Sequence, residues 1–152
     1  MAREEPHVVE SEGFSTAQVE RLTGIGAKTL HFWDRSRFLS PSVVQAHGTG
    51  SRRIYSFRDL VALRVAAQLR DAGISLQSLR KVVTALREIH GLEQPLAETF
   101  LVTNGHDVLE RHGDELMSVL RQPGQSMFSF VIDLSRTVET LREAIHQNSE
   151  LA

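Results

Sequence analysis

The chain has 152 residues, 41% of them apolar and 24% charged, a balance that suits one globular domain or a small domain with an appendage. No apolar run is long enough to span a bilayer, and the polar opening MAREEPHVVESEG reads as a disordered tail over residues 1–12. The absence of cysteine excludes disulfides, thiolate metal sites, iron–sulfur clusters and a cysteine nucleophile.

The formal net charge of −2 conceals an asymmetry. Residues 13–90 carry 12 Lys or Arg against 5 Asp or Glu, whereas residues 91–152 carry 4 against 10. A polyanion suits the first span and not the second.

In chain order, Ser15 with Gln18 three residues on forms a capping-box pattern that opens a helix. Ala17, Val19 and Leu22 supply its apolar stripe, and Gly24 is placed to end it in a left-handed conformation. After the Gly-x-Gly turn a second helix is predicted over 27–36, inside GIGAKTLHFWDRSRFLSP at 24–41. Apolar Ile25, Leu30, Phe32, Trp33, Phe38 and Leu39 alternate there with Lys28, His31, Arg35 and Arg37. Two helices joined by so short a glycine turn have a helix-turn-helix outline, because the short joint fixes the angle of the second helix. Pro41 bars continuation; SVVQA, the tip HGTGS and RRIY then predict a hairpin, with Arg52 and Arg53 beside its tip. Ser56 and Asp59 form a second capping-box candidate, opening a helix with Leu60, Leu63 and Ala67 on its stripe and Gly73 at its close. ISLQSLRKVVTALREIHG predicts a third capped helix with Leu76, Leu79, Val83, Leu86 and Ile89 at helical spacing.

Gly91 and Pro95 break the pattern, and 91–98 reads as a linker. Beyond it, TFLVTNGHDVLE predicts a hairpin about Asn104-Gly105, a pair suited to a type I′ turn. DELMSVL fits either strand or helix, QSMFSFVID alternates as a strand, and LSRTVETLREAIHQ predicts a helix with Leu134, Val138, Leu141 and Ile145 inward. The expected class is α+β, mainly α. A winged helix-turn-helix spans 13–90, a small acidic β-rich module with a C-terminal helix spans 99–147, and 148–152 is a tail.

The segments FSTAQVERLTGIGAKTLHFWDRSRFLSP and RRIYSFRDLVALRVAAQLRDAGISLQSLRKVV resemble the MerR-type winged helix-turn-helix of bacterial transcription regulators over residues 14–90. Aromatic pair and acid, Leu-x-Pro exit, Arg-x-Tyr wing, Asp-Leu helix and Gly-Ile-Ser-Leu turn occur in order. The resemblance implies a dimer on a pseudo-palindromic operator, often in a promoter whose spacing it corrects by bending and untwisting DNA. It also implies a bracing role for the wing tyrosine, Tyr55. Lys28 and His31 stand where the family commonly has arginine, and Phe32 where it has a tyrosine, so the phosphate contact of that hydroxyl is missing. Gly91 and Pro95 interrupt the long helix that relatives use for a dimer coil, which moves dimerisation to the C-terminal module.

The residue chemistry agrees. Ile25, Leu30 and Trp33 hold the second helix on its scaffold, while Lys28 and His31 face the major groove, where polar side chains distinguish base pairs. Arg52 and Arg53 reach flanking phosphates or a narrowed minor groove. Phe32 and Trp33 fit packing at a core edge better than base stacking. The candidate DNA-binding set is Ser15, Thr16, Lys28, Thr29, His31, Phe32, Trp33, Arg35, Arg52, Arg53 and Tyr55. Candidates for dimerisation are Phe128, Phe130, Val138, Leu141 and Ile145. On this reading Arg53→Ala weakens binding alike on all sequences and lowers the salt slope by ~0.9, while His31→Ala alters sequence preference.

The expected function is a sequence-specific transcriptional regulator acting as a homodimer on double-stranded DNA, in the cytoplasm and at the nucleoid. The alternative is an antitoxin-like protein whose acidic half binds a toxin or other protein partner while the basic half represses the operon. An enzyme ranks last, since no nucleophile, base and phosphate loop converge. His106, Asp107, His112 and Asp114 are metal-ligand types but flank turns without helical ligand spacing. No metal, cofactor or membrane partner is expected.

Overall fold

The computed structural model describes residues 13–44, 52–98, 101–103, 108–112, 115–118, 130–132 and 134–151. Its elements are β1 (Phe14–Ser15), α1 (Thr16–Thr23), α2 (Ala27–Arg35), β2 (Ile54–Tyr55), α3 (Phe57–Asp71), α4 (Leu76–His90), a 3-10 turn (Pro95–Ala97), β3 (Leu101–Thr103), β4 (Val108–His112), β5 (Glu115–Ser118), β6 (Phe130–Ile132) and α5 (Leu134–Leu151). The class is α+β, mainly α. Among the described residues no helix is long and apolar enough to cross a membrane. Packing divides the chain into two units: residues up to 63 with those from 138 onward, and residues 64–137.

In the first unit, the capping box closes as its residues require. Ser15 Oγ accepts from the Gln18 amide at 3.3 Å, and Gln18 Oε1 accepts from the Ser15 amide at 2.9 Å. Gly24, at φ 78°, ends α1 in the left-handed region, where a Cβ would be strained. The Thr23 hydroxyl donates to the Val19 carbonyl at 2.7 Å and accepts from the Ile25 amide at 3.2 Å, so the turn is pinned to the helix it leaves. At the far end of α2, Phe38 N–H reaches back to the Trp33 carbonyl at 2.8 Å and Arg37 N–H to that of Asp34 at 2.9 Å. This is a Schellman motif, and its left-handed position is held by Arg37 at φ 63° rather than by glycine. Trp33 and Phe38, whose rings meet edge to face at 5.1 Å, supply the apolar contact that accompanies it.

The wing contains a feature absent from the sequence reading. β1 pairs antiparallel with β2, Phe14 opposite Tyr55 and Ser15 opposite Ile54, and Val44 bridges Ile54 from the other side. The expected hairpin is therefore a small ribbon anchored to the start of α1; its tip, 45–51, lies outside the described residues. The second capping box also closes, with Asp59 N–H donating to Ser56 Oγ at 3.0 Å. Buried Asp59 does more than cap: its Oδ2 accepts from the Ser56 amide, the Ser42 amide and the Ser42 hydroxyl at 2.9, 2.8 and 2.7 Å. These donors satisfy the buried carboxylate, and it ties the exit of α2 to the start of α3. From the other end of the chain, Leu141 and Ile145 of α5 are buried, and the Arg142 guanidinium lies 5.4 Å from the centre of the Phe57 ring.

In the second unit, Ser75 caps α4 by accepting from the Ser78 amide, and Gly91 ends the helix at φ 67°. Leu79, Val82, Val83 and Leu86 form the buried face. Ile89, expected on that face, is exposed, since the stripe ends one turn earlier. Within the segment read as a linker, the chain packs on α4. Pro95 starts a 3-10 turn, and Gln94, Pro95 and Leu96 are buried. The sheet is antiparallel throughout in the order β5-β4-β3-β6. Thr103 pairs with Val108, which leaves 104–107 between the strands where a two-residue Asn-Gly turn was expected; those four residues lie outside the described ones. The segment that fitted either strand or helix contributes β5. Of QSMFSFVID, residues 130–132 form β6, while 125–129 and 133 lie outside the described residues.

Candidate nucleic-acid interface

The site is built on α2, whose nine residues divide by helical angle. Leu30 and Trp33 are buried, while Lys28, Thr29, Phe32 and Arg35 are exposed. Lys28, Phe32 and Arg35 fall at i, i+4 and i+7, one outward line flanked by Thr29 on one side and half-buried His31 on the other. The core thus grips the back of the helix and leaves a cationic and aromatic front. Ser15 and Thr16, half-buried, sit where β1 meets the first turn of α1.

The wing meets the helix through one ion pair. Arg53 Nε donates to Asp34 Oδ2 at 2.6 Å, and both side chains are largely covered, at 16% and 14% exposure. Arg53, expected on phosphate or a narrowed minor groove, braces β2 against α2 through this pair, and exposed Arg52 is the outward cation of the described wing residues. Sequence reasoning missed Asp34 as the partner because the two residues lie 19 apart; an acid at the back edge of an otherwise basic helix was the available signal.

Two further candidates are buried. Trp33 is only 6% exposed and packs against Phe38, the scaffold position expected for it. Tyr55, at 1% exposure, is part of the core beneath the wing, and burial, with Asp34 close by, pushes its phenol up to about 12. Phe32 departs the other way: packing was favoured for it, yet it is 46% exposed. His31 has its pKa lowered by partial burial, then by the Arg53 and Arg35 guanidinium groups, with Asp34 opposing. Neutral at neutral pH, its imidazole offers one donor and one acceptor.

The dimerisation candidates fare differently. Leu141 and Ile145 are covered within their own chain, so they offer no apolar surface to a second copy. Val138 is half-buried, Phe130 lies in β6, and Phe128 is outside the described residues. Of the metal-type residues, His106, Asp107 and Asp114 are outside the described residues, and His112 ends β4 opposite Glu115.

Comparison with known proteins bears on the same span. Residues 14–86 match the family described as MerR HTH family regulatory protein. Uncharacterized HTH-type transcriptional regulators of Mycobacterium bovis and Mycobacterium tuberculosis are 35% identical over 120 residues, 79% of this chain and 52% of each relative. The chain spans about half the length of these curated relatives. With its capped first helix, its short glycine turn into α2 and its ribbon wing, the span 14–86 is a MerR-type HTH regulatory region.

Proposed function

We propose that this protein is a sequence-specific transcriptional regulator that binds double-stranded DNA as a homodimer on a pseudo-palindromic operator. The observation that carries the reading is the division of α2: Leu30 and Trp33 clamp its back, and Lys28, Thr29, Phe32 and Arg35 stand together on its exposed front. A helix so held enters a major groove with its polar and aromatic side chains at base-edge depth, and Arg52 lies on the wing to reach the backbone. His31 reads a base edge as a neutral donor and acceptor, and Ser15 and Thr16 meet phosphate at the first turn of α1. The acidic span 91–152 repels the duplex, whereas the basic span 13–90 attracts it.

Selection of genomic fragments on the purified chain, with subunit mass measured at the same concentration, tests the proposal. Enrichment of an inverted repeat bound by two chains is the expected outcome. Salt-sensitive binding without an enriched motif overturns sequence specificity, and co-purification of a protein partner with no DNA retained overturns the reading as a whole.

A further inference from the structure

Phe32 is the one large apolar side chain that the described residues of α2 leave outside, 46% exposed between Lys28 one turn before and Arg35 one turn after. The core beneath α2 is already occupied by Leu30 and by Trp33 edge-on to Phe38, so packing gives no reason for the ring to lie where it does. An exposed aromatic ring in the centre of a cationic stripe gains free energy only when an apolar group covers it. The two cations select a polyanion as the covering surface. In the major groove of DNA the base edges present donors, acceptors and a single kind of apolar group, the C5-methyl of thymine.

We propose that Phe32 is a specificity-determining residue that recognises thymine in the operator by seating its ring on the C5-methyl group. This rests on α2 being the helix that enters the groove. With neither donor nor acceptor, the ring distinguishes thymine from the other bases by that methyl alone, while Lys28, Thr29 and His31 supply the hydrogen-bonded part of the readout. Chemically, an operator read by this helix carries a thymine in each half-site at the position facing the middle of α2.

The test uses the full chain and duplexes selected from a random library. The enriched site is resynthesised with deoxyuridine replacing thymine one position at a time, which removes the methyl and keeps every base-pairing and groove hydrogen-bonding group. For the wild type, one position in each half-site weakens binding about fourfold when its methyl is lost, the value of one buried carbon. Phe32→Ala binds the thymine and deoxyuridine duplexes equally, and its thermal unfolding matches the wild type because the side chain is outside the core. If no position is sensitive to the methyl while Phe32→Ala still weakens every duplex alike, the ring lies on the sugar–phosphate backbone and the inference falls, though the DNA-binding reading stands. If the chain enriches no duplex at all, both fall together.

Discussion

His31 and Arg37 show most directly how single residues are set for contact. Because His31 is neutral more readily in the folded chain than in the unfolded one, the unfolded state takes up its proton first as pH falls. Its contribution to stability is therefore intact above 6.5, the ordinary value, and is lost as pH falls from there through its depressed folded value. Thermal unfolding followed across that window should show a steeper acid loss for the wild type than for His31→Gln. Arg37 occupies a left-handed position at φ 63°, which strains any residue with a Cβ. Arg37→Gly should raise stability by roughly 0.5–1 kcal/mol, the relief being partly offset by the freer unfolded chain; urea denaturation reads this directly. Arg52 is the exposed cation of the wing, and on the proposed function Arg52→Ala should flatten the salt dependence of DNA binding by a slope of ~0.9 without altering the melting curve.

At the scale of elements, the helix pair and its wing are coupled by charge and by hydrogen bonds that cross long stretches of sequence. A double-mutant cycle on Asp34→Ala and Arg53→Ala should return a coupling of roughly 1–3 kcal/mol, because the pair is largely covered and hydrogen-bonded. Additivity would mean that the pair does not hold the wing. Local features were legible in advance for a physical reason: a cap joins residues three apart, so Ser15 with Gln18 and Ser56 with Asp59 announce helix starts without knowledge of the fold. Gly24 and Gly91 announce the ends in the same way. What stayed hidden was everything set by distant partners. The two residues of β1 have no strand pattern of their own and become a strand only against Ile54 and Tyr55. Trp33 and Phe32 are neighbours of similar character, and 100° of helical turn puts one in the core and the other outside. The pairing of Arg53 with Asp34 and the triple use of Asp59 by Ser42 and Ser56 belong to the same class.

For the whole molecule, the last helix of the chain belongs to the same unit as its first residues. Leu141 and Ile145 are buried in the unit that also contains the helix pair, although the sequence between residues 63 and 138 belongs to the other unit. Leu141→Ala should destabilise the chain by roughly 2–4 kcal/mol, as a fully buried leucine does, and chemical denaturation monitored by the fluorescence of Trp33 would register it in the unit that contains α2. A shift seen only in the remainder of the chain would separate α5 from the DNA-binding unit. The charge division acts at the same scale: a chain of formal charge −2 approaches DNA productively only through its basic span.

Ser15 stands at a junction that makes the wing and the first helix a single lever. The same residue faces Ile54 across a strand pair and closes the first turn of α1, so no flexible joint separates the two. Just before it, Gly13 lies so close to the wing that a Cβ would come 2.5 Å from Ile54 Cγ2. A duplex that pushed the wing aside would have to unwind the helix start with it. The β1–β2 pair and the start of α1 therefore move as one stiff piece. Amide exchange would register that stiffness as one opening event shared by the β1–β2 pair and the first turn of α1.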